Sequence, residues 1–398
     1  MIIYKFEKII YYINKEVVIM KIVISIDSLK GSLSSIEAAN AIKKGILNVD
    51  NNAEIVIMPL ADGGEGTVDA LVEGMNGEEQ LISVTGPIIE KVNAKYGILK
   101  ETNTAIIEMA QASGLPLVPT HLRNPLNTTT YGVGEIIKEA IEKGCRNFIV
   151  GIGGSATNDA GVGMLQALGF EFYDENDNLL GLGGKVLSKI KKIKVDNRLK
   201  ELDECSFKIA CDVNNPLYGE NGAAYIYGPQ KGATKEIIKE LDKGLINFSE
   251  VVKKDLGKDI SNVSGAGAAG GLGFGFLAFL NSKLESGVKI ILDEVRLEEV
   301  VKDADFVITG EGRLDNQTAM GKAPIGVAKL AKKHGANVIA IAGCTTKDAI
   351  KCNEEGIDAY FSIVNSAMTI GEAMNKENAT NNMIETTTQI FNLIKAIQ

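Results

Sequence analysis

The chain has 398 residues, 45% hydrophobic and 23% charged, with a formal net charge of -9. That length suits two domains, or one with a large insertion, and leaves ample apolar material for a core. The acidic balance excludes a nucleic-acid or anionic-membrane surface, since both need clustered Lys and Arg.

No run approaches the roughly 20 apolar residues of a membrane span. Residues 1–19 are apolar and aromatic but interrupted by Lys5, Glu7, Lys8, Lys15 and Glu16, without the small-residue end of a signal peptide. They are set apart as an N-terminal extension. Five cysteines without CxxC spacing read as reduced, mostly buried thiols, which places the chain in the cytoplasm.

In chain order, residues 21–26 are expected as a buried strand, 27–35 as a loop and 36–47 as a helix with apolar positions three and four apart. Residues 54–60, 61–66 and 67–74 repeat that strand, loop and helix. Strands are expected at 93–99 and 104–109, and a helix opens after Asn127-Thr128-Thr129-Thr130-Tyr131-Gly132. Residues 147–152 lead through a loop at 153–158 into a helix at 159–168. A strand is expected at 223–227 and an apolar helix at 272–280. Residues 305–309 lead through a loop at 310–321 into a helix at 324–334 and a strand at 337–341.

Alternating strands and helices at both ends imply βαβ units, whereas the middle breaks that rhythm. The fold class is therefore α/β, with a doubly wound, largely parallel Rossmann-like domain and an inserted α/β domain. The first is discontinuous, from 20–85 and 288–398, and the second spans 86–287. A ligand is expected in the cleft between them.

The 43 glycines gather into a few loops. None forms a Walker A motif: Gly184-Lys185, Gly257-Lys258 and Gly321-Lys322 are followed by Val, Asp and Ala. Gly265-Ala266-Gly267-Ala268-Ala269-Gly270 matches a dinucleotide fingerprint, but residues 261–264 before it are no strand. It reads either as a turn or as a backbone cradle for phosphates at Gly265, Gly267 and Gly270. Gly151-Ile152-Gly153-Gly154-Ser155-Ala156 is better placed, between a strand and a helix whose first N–H groups suit an anion. Thr157, Asn158 and Asp159 beside it read as helix caps or phosphate contacts, as does Thr129.

Asp27-Ser28-Leu29-Lys30-Gly31-Ser32 and Asp62-Gly63-Gly64-Glu65-Gly66-Thr67 each follow a buried strand, at the end where open α/β sheets bind ligands. Gly310-Glu311-Gly312-Arg313-Leu314-Asp315 follows a third. A carboxylate in such a loop suits a magnesium ligand or an acceptor of a hydroxyl proton, a turn or cap being the plainer role. Lys30, Arg313 and Lys322 supply cations on these loops, and Arg313 suits a planar carboxylate. His121 and His334 are the only histidines, and neither is placed for catalysis.

At these loops the sequence resembles the type-1 bacterial glycerate kinase family, over nearly the whole chain from Met20. Asp212-Val213-Asn214-Asn215-Pro216-Leu217, Gly228-Pro229-Gln230-Lys231-Gly232-Ala233 and Gly153-Gly154-Ser155-Ala156-Thr157-Asn158-Asp159 carry the resemblance with the acidic loops. Leu29 stands where that family usually has Phe, and Ala160 where Gly is common. The resemblance implies phosphorylation of D-glycerate with ATP and Mg2+, typically at the 2-hydroxyl. Beside it, Lys30 and Arg313 are expected to hold the glycerate carboxylate, with Asp27, Ser28, Glu65 and Asp315 as further substrate contacts. Asp62, Asp212 and Lys30 are the catalytic candidates, and Asp62, Asp212 and Glu311 the metal candidates. Gly153, Gly154, Ser155, Thr157, Asn158, Thr129 and the Gly265–Gly270 glycines are the nucleotide candidates. Glycerate and ATP are the expected partners, and a homo-oligomer is left open. The alternatives are a nicotinamide-dependent hydroxyacid oxidoreductase, lacking a clear catalytic histidine, and a non-catalytic organic-acid sensor, which needs no three acid-bearing loops.

Overall fold

Runs rich in Ile and Val form the main strands, in a computed structural model that describes residues 19–61, 63, 64 and 66–397. Asp62, Glu65 and residues 1–18 lie outside the described residues. The strands are β1 (Lys21–Ile24), β2 (Glu54–Ile57), β3 (Glu78–Thr85), β4 (Lys91–Leu99), β5 (Thr104–Glu108), β6 (Asn147–Gly151), β7 (Ser206–Ala210), β8 (Ser282–Glu285), β9 (Phe306–Thr309), β10 (Asn337–Ala342) and β11 (Ala359–Ser362).

Two units divide the described residues, one running to Pro59 and resuming at Arg296, the other from Leu60 to Val295. The first holds a parallel sheet of order β11-β10-β9-β1-β2. Counted within the unit this is the doubly wound order 2-1-3-4-5, whose direction reverses between β1 and β9. Ligands of such sheets bind at the carboxyl ends beside that reversal. Ile22, Val23 and Ile24 are all fully buried, as expected of a strand covered on both faces. Helices Ser35–Leu47 and Lys376–Ile397 join Ile22, Ile24, Ile308 and Ile339 in one core. Gly45 lets these helices meet, since a Cβ there would lie 2.6 Å from Thr387 Cβ. Helix Ala323–Lys333 packs on β9 and β10.

The second unit holds a sheet of order β8-β7-β6-β5-β4-β3, parallel from β8 to β5 and antiparallel beyond. Its core stacks Phe148 on Phe207 with ring centroids 4.6 Å apart. The division falls at Pro59/Leu60 and Val295/Arg296, away from the expected 85/86 and 287/288. β3 pairs along its whole length with β4, and helix Gly287–Glu294 packs on β7, so both belong to the second unit's sheet.

Two local expectations are corrected. Residues 223–227, expected as a strand, form helix Ala223–Tyr227, because Ala223 and Ala224 are good helix formers buried against the helices Lys235–Leu256 and Ala268–Phe279. The helix expected from residue 159 begins only at Val162, because Ala160 and Gly161 take φ of 51° and 77° in the left-handed region. Among the described residues no helix is long and apolar enough to cross a membrane.

Candidate active site

The carboxyl ends of β6 and β7 open onto a cavity of about 470 Å³ in the second unit. Residues 152–155 form one wall and residues 210–213 another, with Gly63, Gly64, Leu115, Tyr227, Gln230, Lys231, Ala268 and Ala269 completing it. Parallel strands deliver these loops side by side, which is why ligands of such sheets collect here. Gly151 and Gly63 make the close approach: a Cβ on Gly151 would lie 2.3 Å from the Gly63 carbonyl oxygen, and one on Gly63 would lie 2.8 Å from Gly287 Cα. Glycine is needed at both because backbone lies directly against backbone. Asp62 and Glu65, expected on this loop, are outside the described residues.

Gly153, Gly154 and Ser155 all line the cavity, and no atom would crowd a Cβ at Gly153. Thr157, Asn158 and Thr129 are fully buried behind them. The Thr157 hydroxyl and both polar atoms of the Asn158 side chain lack hydrogen-bond partners among the described residues. Asp159 gathers the wall instead. Its carboxylate accepts from Thr130 N at 2.8 Å, Thr130 Oγ1 at 2.9 Å, Thr129 Oγ1 at 3.4 Å, Gly161 N at 3.2 Å and Gly163 N at 3.3 Å. Burial pushes its pKa up, and these donors oppose the shift.

Lys231, which lies in the 228–233 motif and has no expected role of its own, is 2% exposed. Its Nζ donates to Ser155 Oγ at 2.7 Å and to the Thr157 carbonyl at 2.6 Å. Burial lowers its pKa to about 7, against the pull of Asp159. Glu108, at the end of β5, was also missed. It accepts from Val68 N at 2.9 Å and so caps helix Thr67–Gly74, with burial raising its pKa. A lone Glu inside an apolar strand was its available signal.

Gly265, Gly267 and Gly270 are occupied by packing. Added Cβ atoms would lie 2.9 Å from Cys211 Sγ, 2.1 Å from the Pro216 carbonyl and 2.0 Å from the Thr157 carbonyl, respectively. From this segment only Ala268 and Ala269 line the cavity. Ala269, Gly270 and Gly271 are all left-handed, so regular helix begins at Leu272. Asp212 lines the cavity, and its Oδ1 accepts from Gly287 N at 3.1 Å.

In the first unit, Asp27 and Glu311 leave the neighbouring strands β1 and β9, and Asp27 N donates to the Gly310 carbonyl at 2.9 Å. Asp27 Oδ1 accepts from Ser28 N at 2.7 Å, while Lys30 is exposed. Glu311 accepts from Thr318 Oγ1 at 2.6 Å and lies 3.7 Å from Lys322 Nζ. Arg313 donates from both Nε and Nη2 to Asp315 Oδ2, at 3.0 and 2.9 Å. Asp315 Oδ1 caps the short helix Asn316–Ala319 through Gln317 N and Thr318 N. Both oxygens of Asp315 are thus engaged, and its geometry is that of a cap holding Arg313. Among the described residues no group of three or more His, Cys, Asp or Glu side chains could hold a metal ion.

The model of the glycerate kinase family matches residues 22–395, spanning both units. The chain belongs to the glycerate kinase family. A glycerate kinase of Halalkalibacterium halodurans is 51% identical over 89% of this chain and 93% of its own. A glycerate 2-kinase of Escherichia coli is likewise 51% identical, over 89% of this chain and 93% of its own. A crystal structure from Salmonella typhimurium, of a protein assigned as glycerate kinase 2, superposes with a TM-score of 0.88 at 45% identity, covering 95% of this chain and 99% of that one. Glycerate kinase membership supports neither the oxidoreductase nor the sensor alternative.

Proposed function

We infer that this glycerate kinase transfers the terminal phosphoryl group of ATP to D-glycerate at the 2-hydroxyl. The observation that carries the position is the 51% identity to a protein named glycerate 2-kinase, across 89% of this chain. ATP phosphates rest on Gly153, Gly154 and Ser155, which line the cavity at the end of β6, where glycine lets an anion approach the backbone. Thr157 and Asn158 stand behind them with buried polar atoms that have no partner among the described residues, which is costly unless a ligand or water satisfies them.

Lys30 and Arg313 take the glycerate carboxylate, with Asp315 orienting Arg313 and Asp27 and Ser28 shaping the same loop. Asp62 or Asp212 accepts the hydroxyl proton, because phosphoryl transfer asks the protein chiefly for an oriented nucleophile and neutralised charge. Mg2+ is usually held by one or two carboxylates plus phosphates and water, so no cluster of three protein ligands is required. Asp62, Asp212 and Glu311 are its proposed ligands, and when bound it would neutralise charge on the phosphates.

The test is ADP release from the purified chain with D-glycerate and magnesium-ATP. Release that depends on glycerate supports the reading. No release, alongside glycerate-dependent reduction of NAD, contradicts it.

A further inference from the structure

Lys231 is the least expected polar residue of the cavity wall. A lysine this buried normally lies beside a carboxylate, because an isolated buried charge is strongly disfavoured. Here the Nζ hydrogen bonds among the described residues go to neutral oxygens, Ser155 Oγ and the Thr157 carbonyl. Asp159, the acid that acts on it, spends its oxygens on Thr130, Thr129, Gly161 and Gly163. The lysine also lines the cavity next to Ser155 and Gly154.

We propose that Lys231 is the cation that receives the phosphate chain of the nucleotide, held by Ser155 and Thr157 at the glycine wall until the anion arrives. This rests on the reading that nucleotide phosphates occupy residues 153–155. The site would bind any compact polyphosphate, with the adenosine part contributing separately.

Two variants and one probe test it. Lys231→Met should raise the KM for ATP by about 10- to 100-fold, the loss of one charge-assisted hydrogen bond, while the KM for glycerate stays near wild type. Lys231→Arg should recover part of that loss. Inorganic tripolyphosphate should raise the melting temperature of the wild-type chain and leave that of Lys231→Met unmoved. Without ligand, Lys231→Met should be at least as stable as wild type, because it removes a charge whose burial outweighs the attraction of Asp159.

Wild-type KM for ATP in Lys231→Met overturns the proposal, as does an undiminished tripolyphosphate shift or a Lys231→Met chain that fails to fold. The last would make the lysine a structural strut. If the wild-type chain phosphorylates no glycerate yet keeps a Lys231-dependent tripolyphosphate shift, the functional reading falls and the anion site stands.

Discussion

Replacing Gly270 with alanine separates two roles for the glycine-rich segment. Gly270 has φ of 69°, and its missing Cβ would lie 2.0 Å from the Thr157 carbonyl oxygen and 2.6 Å from Asn158 Cα. Carbon and oxygen ordinarily keep about 3.3 Å apart, so the backbone must move by roughly 1 Å. A left-handed alanine costs about 1–2 kcal/mol and overpacking about 1–3 kcal/mol. The sum of about 2–5 kcal/mol corresponds, for a unit of this size, to a fall in melting temperature of roughly 4–20 °C. Because Ala160 N donates to the Gly270 carbonyl at 3.0 Å, the shift also reaches the wall from Thr157 to Asp159. Thermal melts followed by far-ultraviolet circular dichroism, with KM for ATP measured beside them, read both effects. Unchanged stability with a selectively raised KM for ATP would refute the packing argument and return Gly270 to direct phosphate contact.

Asp62→Asn and Asp212→Asn should each lower kcat by orders of magnitude while leaving melting temperature close to wild type; near-normal turnover in either removes it from the reacting centre. Burial alone would raise the pKa of Asp315, but the Thr318 and Gln317 N–H groups, Arg313 and Lys322 outweigh it and hold it below the ordinary 3.8. Its ionised form therefore stabilises the first unit above about pH 4, and that contribution is lost as pH falls through the lowered pKa. Asp315→Ala should cost about 0.5–2 kcal/mol at neutral pH and reduce the extra loss of stability in acid, read from urea midpoints at pH 7 and pH 3. Identical midpoints would show that the cap contributes nothing. Chelating divalent cations should abolish ADP release reversibly, with Mg2+ restoring it; full activity in chelator would remove the metal from the reaction.

Much of the fold follows from local patterns. The helix expected at 67–74 is Thr67–Gly74, and the strands at 147–152 and 305–309 differ from β6 and β9 by one residue. Those segments are apolar runs closed by glycine or acidic loops, where pattern and burial agree. Residues 223–227 misled because Tyr and Ile suit strands, while the environment that makes them helical lies in Lys235–Leu256 and Ala268–Phe279. Ala160 stands where Gly is common in the family, and it takes a left-handed φ of 51°. The acidic loops were legible because acid, glycine and strand end coincide within a few residues. Lys231 was not, because its significance comes from burial against Ser155 and Thr157, more than seventy residues earlier in the chain. The glycines of 265–270 resemble a phosphate loop in sequence, and only the contacts around them reveal packing.

The most direct test is phosphorus NMR of the product formed from D-glycerate and magnesium-ATP by the purified full-length chain. The account predicts stoichiometric ADP and a single 2-phosphoglycerate resonance. A 3-phosphoglycerate product would contradict the assigned position, and no phosphorylated glycerate at all would contradict the function.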